Sequence, residues 1–134
     1  MHITEYIALV SLGFCALLGL GSLISPAWAA RTVRLVADPD PSKPGGYSEF
    51  RATYGGLLFM LHMMAIVIVL YTGPYISIFT LLPIAAAWLG AGIGRSVSLV
   101  LDTKQNRQPG MIPIWICTEF ALALAIASPL LQLV

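Results

Sequence analysis

The chain has 134 residues and a formal net charge of +1, with 10% charged against 58% hydrophobic positions. Soluble domains carry roughly 25% charged residues, so most of this surface is not made for water, and a balanced charge gives no basic field for nucleic acid. The length allows one small bundle embedded in a bilayer and excludes a second domain.

Crossing a hydrocarbon core takes about 20 consecutive apolar residues. Four runs qualify, at 3–24, 50–71, 76–101 and 111–133. They predict an all-α integral membrane four-helix bundle of up-down topology, a single unit over 1–134. The first run is followed by Ala27-Trp28-Ala29, which imitates a secretory cleavage site. Glu5 in place of a basic start, and a run longer than a signal core, favour a retained span instead. Trp28, Val33 and Val36 set against Arg31 and Arg34 predict a short interfacial helix over 27–37. Asp38-Pro39-Asp40-Pro41 then stops it, because each proline disfavours helix in the residue before it. Ser48 is the expected N-cap of the second span, with Glu49 in its first turn. Thr72-Gly73-Pro74-Tyr75 is a tight turn, so spans two and three form an antiparallel hairpin. A polar stretch, 102–110, joins spans three and four.

An even number of spans puts both ends of the chain on one side. The loops at 25–49 and 102–110 hold Arg31, Arg34, Lys43, Lys104 and Arg107, and the other side holds no Lys or Arg. Positive-inside bias makes those loops cytoplasmic and both termini non-cytoplasmic.

Ionisable groups inside a span are expensive and need a partner, a route to the interface, or a task. Arg51, Arg95, Glu119 and His62 are such groups. At about 1.5 Å rise per residue, Glu49, Arg51, Arg95 and Glu119 all fall in the cytoplasmic half. Two guanidiniums and two carboxylates sum to zero, so these four, with Tyr54 nearby, are expected to form a partly buried charge cluster. Glu119 is the diagnostic member, since a deep carboxylate cannot snorkel as arginine can. The cluster reads either as helix glue, as a lipid or small-anion site opening on the cytoplasmic leaflet, or as a proton relay.

Small residues mark where backbones approach. Ala86, Gly90, Gly94 and Ser98 recur every four positions in span three, and Gly55-Gly56 repeats the theme in span two. His62 lies near midplane among Met60, Met63 and Met64, soft donors that could hold copper, while a lone imidazole could ligate haem. Packing with one hydrogen bond is the expected role, and neither a metal nor another cofactor is expected. Cys15 and Cys117 sit at different depths and predict free thiols. Gly90-Ala91-Gly92-Ile93-Gly94-Arg95 fails as a dinucleotide loop, because Arg95 stands where the third glycine belongs and no strand precedes it. There is no nucleophile with a base at readable spacing and no phosphate cradle.

The segment Glu49-Phe50-Arg51-Ala52-Thr53-Tyr54-Gly55-Gly56, with Gly94-Arg95 and Glu119 later, resembles domain of unknown function family 4345, small bacterial membrane proteins. The resemblance covers nearly the whole chain and implies a four-helix bundle in a bacterial inner membrane. The matching positions are Glu49, Arg51, Tyr54, Gly55, Gly56, Arg95 and Glu119. It carries no reaction, and the insert at 39–46 looks private to this chain.

The expected function is therefore an accessory or interaction subunit, packed among other membrane-protein subunits and lipids, with a lipid at the Arg/Glu cluster. The alternative is a transporter or lipid-substrate enzyme using Arg51, Arg95 and Glu119.

Overall fold

The structure, a computed structural model, describes residues 1–33, 46–102 and 111–133. The end of the expected interfacial helix at 34–37, most of the 39–46 insert, and Arg34, Lys43, Lys104 and Arg107 lie outside the described residues. Among the described residues every regular element is helical. In chain order they are α1 (Ile3–Ile24), α2 (Pro26–Val33), α3 (Tyr47–Glu49), a π-helix (Phe50–Leu57), α4 (Leu58–Tyr71), α5 (Pro74–Leu101), α6 (Met111–Ala127) and a 3₁₀ turn (Ser128–Gln132). Among the described residues four stretches are long and apolar enough to cross a membrane: Ile3–Ile24, Tyr47–Tyr71, Pro74–Leu101 and Met111–Gln132.

The chain divides into two compact units, residues 12–70 and residues 1–11 with 71–134. In the first, Ser25 separates α1 from α2. Its N–H still bonds Gly21 O, and its carbonyl accepts from Trp28 and Ala29, so α2 starts at once with Pro26 in its first turn. The apolar face of α2, Ala29, Ala30 and Val33, closes on Phe50. The second span begins earlier than its apolar run because Gly46, not Ser48, is the N-cap. Gly46 sits at φ 108°, which a side chain would resist, and its N–H donates to Glu49 Oε2 at 2.7 Å.

The span then runs as a π-helix through Phe50–Leu57 before turning α-helical, a widening the sequence did not predict. Its broad turn brings Phe50 and Tyr54 into a ring stack with centroids 5.1 Å apart. Two glycines set how close α1 comes. A methyl on Gly19 would lie 2.5 Å from Phe59 N, and one on Gly55 would lie 2.8 Å from Leu23 Cα. Gly19 faces Phe59 while Leu23, four residues on, faces Gly55 four residues back, so the two segments run antiparallel with their backbones in contact.

In the other unit α5 packs along α6. The tight approach there uses Gly92, whose added Cβ would meet the Phe120 ring at 3.2 Å. Pro74 opens α5 after an extended Gly73, and Ser77 Oγ returns a hydrogen bond to Gly73 O. After α6 the 3₁₀ turn is fastened to the first turn of α1. Ser128 Oγ donates to Thr4 O at 3.1 Å, and Gln132 Nε2 donates to Thr4 Oγ1 at 2.8 Å.

Large apolar side chains point outward along the long helices, among them Val10, Leu17, Phe79 and Leu124. The hydroxyls beside them do not look to water. Ser11, Thr80 and Thr118 each donate to the carbonyl four residues earlier in their own helix. An outer surface that is apolar and satisfies its own polar groups is suited to lipid.

Candidate functional site

Residue 95 on α5 and residue 119 on α6 come together because Gly92, one turn before, lets Phe120 close the helix gap. Arg95 Nε donates to Glu119 Oε1 at 2.5 Å. Four residues before Glu119, Trp115 lays its ring 5.8 Å from the guanidinium carbon, a cation–π contact that uses the rest of the cation. Burial is unequal. The Glu119 side chain is 5% exposed and that of Arg95 is 38% exposed. Glu119 Oε2 is buried with no hydrogen-bond partner among the described residues. A carboxylate satisfied at one oxygen and bare at the other is a costly arrangement in a low-dielectric setting.

The remaining members of the expected cluster have partners in their own unit, backbone groups for Glu49 and Arg51 and a ring for Tyr54. Glu49 caps Gly46. Arg51 Nη1 donates to Leu23 O at 2.5 Å, covering one of the last-turn carbonyls that α1 leaves open. Tyr54 stacks on Phe50. Arg51→Ala is therefore expected to cost about 1 kcal/mol, the worth of one exposed charge-assisted bond. Amide exchange should accelerate around residues 24–29, and unchanged exchange there would refute the capping role.

Of the small residues singled out in the sequence, Gly55 takes part in a close backbone approach. Gly56 meets only Arg51 O, at 3.5 Å. Ala86, Gly90 and Gly94 are exposed, with nothing within 4 Å of a Cβ added at either glycine. Ser98 Oγ donates to Asp102 Oδ2 at 2.6 Å at the end of α5. Gly19, Gly92 and Trp115 were not singled out.

His62 is buried, its Nδ1 lying 2.7 Å from Leu58 O. Met60, Met63 and Met64 are exposed, whereas the imidazole is buried. Among the described residues no group of three or more His, Cys, Asp or Glu side chains is placed to hold a metal ion. Cys15 and Cys117 are both free thiols.

Neither curated proteins nor solved structures gave a match to this chain. The family model described as Domain of unknown function (DUF4345) matches residues 3–128, a stretch that includes the Arg51 cap, the glycine crossing and the Arg95–Glu119 pair. The chain belongs to that family.

Proposed function

We propose that the protein is a multi-pass subunit of a bacterial inner membrane, with both termini outward and the 25–49 and 102–110 loops cytoplasmic, and that it acts without catalysis by docking another membrane-protein helix. The observation that carries this reading is the contrast between its glycines. Gly19, Gly55 and Gly92 are consumed by contacts inside the chain, whereas Gly90 and Gly94 lie four residues apart on α5 in open space. With Ala86 they form a smooth, exposed strip of the kind that lets a second backbone come close in lipid. The concentration of Arg and Lys in the two loops supports the orientation.

Gently solubilised protein should run with a partner, above the mass of one chain. Gly90→Leu with Gly94→Leu should release the single chain while leaving its melting temperature within a few degrees of wild type. A wild-type protein that is already a single chain, or a complex indifferent to both leucines, would falsify the docking role.

A second reading has its own support. The bare oxygen of Glu119 beside a half-exposed arginine favours a ligand site on this pair, as in a lipid-handling protein or transporter. Arg51 is engaged by the Leu23 carbonyl within its own unit and is not needed for this reading.

A further inference from the structure

We infer that Arg95 and Glu119 form a binding site for a zwitterionic phospholipid headgroup of the ethanolamine type, its phosphate on Arg95 and its ammonium on Glu119 Oε2. This rests on the second reading above and names the ligand class of that site.

The pair offers unused hydrogen-bonding groups of both kinds side by side. A guanidinium carries five N–H donors. One of them is spent on Glu119 Oε1, and the Trp115 face is the other contact of the cation among the described residues. Oε2 is an acceptor with nothing to accept from. The site is neutral as a whole, so a ligand that is itself neutral but charge-separated fits it without leaving a surplus. A purely anionic headgroup would suit Arg95 and repel Oε2. A choline headgroup has the right charges but no N–H to give to the bare oxygen.

The arginine end of the pair lies at headgroup depth, and Glu119, eight residues or about 12 Å from the start of α6, is the deeper member to which the ammonium must reach. Twenty-eight residues make α5 about 42 Å long. Against a core of about 30 Å, some 6 Å of helix extends past each face when it is centred. Arg95 is six residues from the end of α5, about 9 Å, which puts it only about 3 Å inside the hydrocarbon edge. Trp115 beside it is the residue type that settles at that boundary. Oε2 is shut off from solvent in the free chain, so occupancy needs a side-chain movement, and Arg95 is the neighbour with room to make it.

The test is lipid retention by the full-length protein in mild detergent, read by native mass spectrometry. The probes share acyl chains and differ in headgroup: phosphatidylethanolamine, its mono- and dimethyl forms, phosphatidylcholine and phosphatidylglycerol. Phosphatidylethanolamine should be held about tenfold better than phosphatidylcholine, equivalent to about 1.4 kcal/mol. The drop should fall at the last methylation, where the final N–H is lost, a result that needs no variant. Glu119→Gln should erase the preference, and Arg95→Gln should weaken every phospholipid. Equal retention of the ethanolamine and choline lipids, or strongest retention of phosphatidylglycerol, overturns the assignment while leaving a lipid site in place. Retention of no phospholipid overturns the assignment and the ligand reading together.

Discussion

Arg95→Ala is expected to destabilise the protein by about 3 kcal/mol and Glu119→Ala by only about 1 kcal/mol, although each removes the same ion pair. The asymmetry comes from what is left behind. Without Arg95, a carboxylate that is 5% exposed has neither oxygen partnered and no solvent to turn to. Removing one partner of a buried pair costs about 3–5 kcal/mol for that reason, and the half-exposed position of Arg95 puts this case at the lower end. Without Glu119, the guanidinium keeps the Trp115 ring, and its long side chain can carry the charge toward the membrane surface. The double variant should recover most of the Arg95→Ala loss, because no uncompensated charge remains. Reversible unfolding in mixed micelles, arranged as a double-mutant cycle, measures all three values. A larger loss for Glu119→Ala, or simple additivity, would show that the carboxylate is not the stranded charge.

That pair was legible in the sequence, and its surroundings were not. Cost alone pointed to Arg95 and Glu119, since lipid tolerates neither without a reason, and helical rise placed them at depths a side chain can bridge. The same reasoning grouped Glu49 and Arg51 with that pair by counting charges, and each of them has a hydrogen bond to a backbone group of its own unit. A helix end leaves such groups open: a carbonyl in the last turn of α1 accepts from Arg51, and the N–H of Gly46 donates to Glu49. Likewise the apolar runs located the long helices but said nothing of the π-helix at Phe50–Leu57, since hydrophobicity carries no information about which carbonyl a given N–H chooses. The spacing of small residues in α5 was equally plain. Whether such a strip is filled depends on what faces it, and among the described residues the tightly faced glycines are Gly19, Gly21, Gly55 and Gly92, none of them in that strip.

Those filled glycines lead to the other large effect. Gly19→Ala and Gly55→Ala are each expected to cost about 2 kcal/mol, within the range for overpacking a close contact, whereas Gly90→Ala and Gly94→Ala should be neutral or gain up to about 1 kcal/mol from better helix propensity. Chemically the four changes are identical. They differ in what the new methyl meets: backbone atoms 2.5 Å and 2.8 Å away at the first two positions, and open space at the others. Backbone cannot rotate aside as the end of a flexible side chain can, so relief requires α1 and the Phe50–Tyr71 stretch to separate. Because Gly19 opposes Phe59 and Gly55 opposes Leu23, one methyl already opens the crossing at both points. The Gly19→Ala/Gly55→Ala double variant should therefore lose clearly less than the sum of the single losses. Thermal unfolding of the five variants and the wild type in one detergent decides it. Neutral Gly19→Ala and Gly55→Ala would mean that this crossing is looser than the backbone contacts require, and full additivity would mean that the two glycines sit in separate contacts.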